Sequence, residues 1–157
     1  MKPTFVFVCG AWLNTSYYDP LVRALSDAGY DSVVVTPRCL NSKPPSTSFQ
    51  PDVDAVTEVI TDLVEKNIDV ILVVHSYGGA VGTEAVGALV DSKPEYATRI
   101  KRLVHVATMF PVWGQTIIDS VNGLGPALAP ENVGSALRGL SENYERPIPP
   151  IERRPEF

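Results

Sequence analysis

A chain of 157 residues suits one domain, and 45% hydrophobic residues is ordinary for a globular core. A net charge of −5 without a basic patch argues against nucleic acid and anionic membrane as partners. Two cysteines, Cys9 and Cys39, make no disulfide framework, and they read as reduced thiols of a cytoplasmic protein.

Thr4–Val8 is a continuous apolar, β-rich run, which predicts a strand buried on both faces. The surrounding "MKPTFVFVCGAW" has a single lysine and an apolar stretch shorter than the ~7–15 residues of a signal peptide. No run approaches the ~20 residues of a membrane span. The loop "CGAWLNTS" follows. Ser16 precedes Asp19 by three residues, resembling a capping box. Leu21, Ala24, Leu25 and Ala28 then share one face of a predicted helix that Gly29 ends as a left-handed cap.

Ser32–Val35 reads as the second strand, and "TPRCLNSKPPSTSFQ" as a loop from its C-terminal end. Pro51 opens the next helix, with Asp52 and Asp54 in the first turn, where the helix dipole favours negative charge. Val53, Val56, Ile60, Leu63 and Val64 form its apolar stripe. Val70–Val74 is the third predicted strand, Gly78 to about Leu89 the third helix, and Leu103–Ala107 the fourth strand. Alternating strands and helices predict an α/β fold, a parallel sheet of about four strands with helices on both faces. In such sheets functional groups gather at the strands' C-terminal ends.

Beyond Ala107 the pattern fades. Residues 111–157 hold seven of the fourteen prolines and no strand pattern, so regular sheet is not expected there. "QTIIDSVNGLG" and "GSALRGLSENY" read as short helices, and "ERPIPPIERRPEF" as an extended or disordered tail.

The stretch "VVHSYGGAVG" sets Ser76 between the third strand and the third helix. The nucleophile-elbow pattern is G-x-S-x-G, with small residues because the turn is strained and the helix packs close. Val74 departs from it at the first position; Ser76 and Gly78 fit. A serine at an ordinary strand–helix turn is the bland alternative.

The segments "PTFVFVCGAW", "YYDPLVRALSDAGYDSVVV", "SFQPDVDAVTEVI", "DVILVVHSYGGAVGTEA" and "RLVHVATMFPVWGQTIID" together resemble the α/β-hydrolase-fold family, in particular its small single-domain esterase-like members. The resemblance covers about residues 3–120. It implies strand order 2-1-3-4, a hydrolase core over residues 1–110, part of a cap over 111–145, and a tail at 146–157. It matches Ser76 to the nucleophile. The amides of Tyr77 and Ala11 match the oxyanion donors, each worth about 3–4 kcal/mol when fixed in advance. Trp12 matches a pocket wall, though a packed aromatic reads equally well. Cys9 stands where the family has proline or histidine. The family needs no cofactor.

A serine needs a base. His75 adjoins the serine on a tight turn, so its ring is expected to point away. His105 lies within the fourth strand and reads as a packed, hydrogen-bonded core residue. In the family the acid and then the histidine come later in the chain, and this sequence ends before either loop, as if truncated within the cap. Asp119 and Glu131 have nothing to tie them to Ser76.

Two readings therefore stand. One is a serine hydrolase of a small ester, lactone or thioester, with secondary-metabolite biosynthesis as the family-level analogy. The other is a degenerate hydrolase that binds a small molecule without turnover. Nucleotide binding fails for want of G-x-G-x-x-G or a Walker lysine, and the His and Cys spacing fits no metal. The edge 103–107 is expected to be apolar and open to pairing with a second copy.

Overall fold

A computed structural model describes residues 1–11, 13–39 and 48–108. All of these fall in one compact unit, Met1–Ile117. The cap region expected at 111–145 and the tail at 146–157 lie outside the described residues, as do Trp12, Asp119, Glu131 and the two short helices expected past Ala107.

Among the described residues four parallel strands form the sheet: β1 (Thr4–Val8), β2 (Ser32–Val35), β3 (Val70–His75) and β4 (Ile100–Val106), in the order β2-β1-β3-β4. This is the expected order. Three helices connect them: α1 (Asp19–Asp27), α2 (Gln50–Glu65) and α3 (Gly78–Ser92). The order reverses between β1 and β3, which pair in register from Thr4↔Val70 to Val8↔Val74. The C-terminal ends of these two strands are the switch point where such sheets collect their functional groups.

Side chains alternate between the two faces of a strand. Val6 and Val8 of β1 join Val70, Leu72 and Val74 of β3 in one cluster with Val53, Val56 and Ile60 of α2 and Val81, Ala85 and Leu89 of α3. Full burial of side chains of this size contributes about 1.5–3 kcal/mol each. Phe5, Phe7 and His75 face the other way. Phe7 meets Tyr18 in a tilted pair, with ring centroids 5.9 Å apart, and Tyr18 precedes α1. Helices thus flank both faces.

The start and stop of α1 divide between expectation and correction. Gly29 has φ +75°, and the Tyr30 N–H bonds the Leu25 carbonyl at 2.9 Å, a left-handed cap as read from sequence. The start is different: Asn14, not Ser16, accepts the capping bond, from the Ser16 N–H at 3.1 Å, and a 3-10 turn (Thr15–Tyr18) precedes the helix. The apolar stripe of α1 is also less covered than expected. Leu21 is 46% exposed, and no residue of the helix is buried.

β4 begins three residues before the expected Leu103 and takes in Lys101 and Arg102. On the outermost strand of the described sheet both charged side chains stay exposed while the backbone still pairs. Val104 and Val106 are 40% and 46% exposed. No helix among the described residues is long and apolar enough to cross a membrane.

Candidate active site

Ser76 sits between β3 and α3 with φ +52°, in the left-handed region. A serine held there costs of order 1–3 kcal/mol, which the surroundings must offset. Two backbone bonds hold the turn: the Ser76 N–H donates to the Val106 carbonyl at 3.2 Å, and the Ser76 carbonyl accepts from the Gly79 N–H at 3.0 Å. The side chain is half-buried.

The glycines of the motif answer to close packing. A Cβ on Gly78 would lie 2.5 Å from the Val8 carbonyl oxygen and 2.7 Å from that of Cys9. A Cβ on Gly82 would lie 2.4 Å from Val74 Cγ1. The first turn of α3 therefore rests directly on the end of β1. The first amides of a helix lack partners within it, and the amide of Tyr77, the N-cap residue, stands at this end.

The loop after β1 reaches the same place. A Cβ on Gly10 would sit 3.3 Å from Ser76 Cβ and 3.2 Å from His75 Nδ1. The Leu13 N–H reaches back to the Gly10 carbonyl at 3.4 Å, making a turn that carries Ala11, which is half-buried. Ser76, Tyr77 and Ala11 therefore belong to two segments in contact; Trp12 lies outside the described residues.

Both neighbours of Ser76 are tied to other elements, the 3-10 turn and α2. His75 Nδ1 is 3.1 Å from the Tyr18 hydroxyl, and the two rings meet edge-on at 6.4 Å. This direction agrees with a histidine turned away from the serine. Cys9 is buried, and burial pushes its thiol up to about 11 while a hydrogen bond with Tyr18 works the other way. On the other side the Tyr77 O–H donates to Asp52 Oδ2 at 2.8 Å. Burial first, then the bond to Asp52, holds the Tyr77 hydroxyl above the usual tyrosine range. Asp52 is only 3% exposed, and its second oxygen, Oδ1, accepts the Cys39 N–H at 2.7 Å.

Asp52 is the site-adjacent residue that sequence reasoning assigned to the helix dipole alone. A signal was present. Residues 52, 56 and 60 share a helix face, and Val56 and Ile60 are core, so an acid at 52 heads the apolar stripe.

The second histidine departs from its expected burial. His105 is half-buried, because β4 has no further strand beside it in the described sheet; its Nδ1 is 3.2 Å from Thr108 Oγ1. Among the described residues no side chain hydrogen-bonds Ser76 Oγ.

A parallel sheet with this order, and a positive-φ serine entering α3 at the switch point, define the class as an α/β-hydrolase fold. Residues 5–155 match the profile of the Alpha/beta hydrolase family, and the chain belongs to that family. Among similar proteins is the alpha/beta hydrolase nvfD of Aspergillus novofumigatus, 30% identical over 127 residues, 80% of this chain and 51% of the relative. A Phoma protein named as a probable hydrolase is 26% identical over 130 residues, 82% of this chain and 51% of that protein. This chain thus spans about half the length of the curated relatives it matches. A solved extracellular alpha/beta-hydrolase from a Paenibacillus species, described as sharing homology with tobacco salicylic acid binding protein 2, aligns over 90% of this chain and 53% of its own, with a TM-score of 0.57. At 23% identity that likeness concerns the fold.

Proposed function

We infer that this chain carries the nucleophile and oxyanion half of a serine hydrolase site acting on a small ester, lactone or thioester. Ser76 Oγ attacks the acyl carbon, and the carbonyl oxygen, now carrying the negative charge, turns to the amides of Tyr77 and Ala11. The strained φ of Ser76 beside the Gly10–Leu13 turn is the observation that supports this reading most. Trp12 belongs to the reading as a wall of the substrate pocket.

The proton of Ser76 needs an acceptor, and neither histidine of the sequence is bonded to it: His75 is engaged with Tyr18, and His105 with Thr108. Without a base, an oxyanion hole and a pocket still accelerate hydrolysis about 10³–10⁴-fold over water. That residual activation suffices for slow phosphonylation of Ser76, whereas full turnover requires a base from outside the described residues or from a partner chain.

The same observation favours a second reading, a hydrolase-fold protein that binds a small molecule without turnover. A fluorophosphonate probe separates the two. Labelling of wild type but not of Ser76→Ala supports the hydrolase; folded protein that stays unlabelled while retaining a small apolar ligand supports the binder.

Two wider assignments go with the reading. A cytoplasmic location accords with Cys9 and Cys39 forming no disulfide with each other. A step in secondary-metabolite biosynthesis rests on family resemblance alone.

A further inference from the structure

Buried carboxylates are costly unless their oxygens are bonded. Asp52 is buried at the first turn of α2, and each of its oxygens has one strong donor, the Tyr77 hydroxyl at 2.8 Å and the Cys39 amide at 2.7 Å. These donors come from two separate segments, the residue after Ser76 and the loop following β2. Val8, Cys9, Val56 and Val81 line a small space with Tyr77 and Asp52, so the tyrosine has apolar walls and one polar anchor.

We propose that Asp52 is a positioning residue for the oxyanion-binding amide of residue 77, pinning the Tyr77 side chain to α2 so that the peptide after the nucleophile is fixed before substrate arrives. The proposal rests on the assignment of Ser76 as nucleophile. Asp52 acts through Tyr77 and needs no contact with substrate. A donor fixed in advance stabilises charge that develops during bond-making, more than it stabilises the bound ground state. Loosening it therefore slows the chemical step and leaves initial binding nearly unchanged. A carboxylate that merely braced the fold would change stability alone.

The test uses the full chain and a fluorophosphonate, with saturation kinetics that separate the maximal inactivation rate from the half-saturating concentration. Tyr77→Phe removes one oxygen and keeps the ring; Asp52→Asn removes the charge at constant size. Each is expected to lower the maximal rate about 10-fold, with the half-saturating concentration within about twofold of wild type. The double variant is expected to be no slower than the slower single one, because both break one linkage. The exposed Asp54→Asn is the control and keeps the wild-type rate. Wild-type rates in folded Tyr77→Phe and Asp52→Asn overturn the proposal, as do single effects that multiply in the double variant. If Asp52→Asn does not fold, Tyr77→Phe decides by the same criterion. Absence of Ser76 labelling in wild type defeats the hydrolase assignment instead. The positioning is then read from the Tyr77 amide resonance in ¹⁵N-labelled protein, which must move in Asp52→Asn and stay in place in Asp54→Asn, and a resonance that Asp52→Asn leaves unmoved overturns it.

Discussion

Gly78 and Val8 stand so close that a single added carbon on the first would lie 2.5 Å from the carbonyl oxygen of the second. The helix that follows the serine thus starts in contact with the backbone of the neighbouring strand. That contact sets the distance between the Ser76 turn and the loop carrying Ala11.

Gly78→Ala is expected to destabilise by about 2–3 kcal/mol, because its obstacle is backbone and cannot rotate aside. Gly82→Ala meets Val74 Cγ1 at 2.4 Å, a branched side chain fully buried in the core, and should cost about as much. Gly87 lies in the same helix with nothing within 4 Å, so Gly87→Ala should stabilise by about 0.5–1 kcal/mol. Urea unfolding of the three variants checks the ranking; a neutral Gly78→Ala would refute the close contact.

Strain at Ser76 makes a second prediction. Ser76→Ala keeps a Cβ at φ +52° and retains the strain, whereas Ser76→Gly relieves it. The glycine variant is expected to be about 1 kcal/mol more stable than the alanine variant, although neither has a nucleophile. Thermal unfolding of the pair measures the difference, and an alanine variant as stable as the glycine one contradicts the strained turn.

Cys9 gives the protein an alkaline limit. Below pH 9 its thiol is neutral in the folded and unfolded chain alike. Between pH 9 and about 11 only the unfolded chain ionises it, so it binds fewer protons than the folded one and stability falls as pH rises. The loss is about 1–2 kcal/mol across that window. Cys9→Ala should lack this component, so the stability gap between wild type and variant narrows from pH 9 to 11. A gap independent of pH would remove the thiol as the cause.

Val104 and Val106 face outward on β4, the outermost strand of the described sheet. Unpaired strand edges and exposed apolar side chains favour association with a second copy. Sedimentation velocity should show association that grows with concentration, and Val106→Lys should suppress it. A monomer at every concentration would leave the edge without this role.

Much of the fold was legible because alternating and stripe patterns carry it. Thr4–Val8 and Ser32–Val35 fall where their apolar runs predict, and Ser76 follows β3 as the motif requires. Capping at Asn14 was missed because Ser16 also fits a cap pattern, and only the 3-10 turn chooses between them. The β4 start was missed because an edge strand keeps charged side chains in solvent while its backbone pairs. A place within a strand predicts a core His105, but burial depends on what lies beside that strand, which local pattern does not carry. Asp52 was missed for a related reason: its partners, Tyr77 and Cys39, are 25 and 13 positions away, and periodicity on one helix cannot show contacts across the fold.

Mass-spectrometric mapping of a fluorophosphonate adduct tests the central claim most directly. The account predicts one phosphonate on the peptide containing Ser76 in folded wild type, and none in Ser76→Ala. A folded wild-type protein that carries no adduct, or an Ser76→Ala protein that carries it still, would contradict the assignment of this serine as the nucleophile.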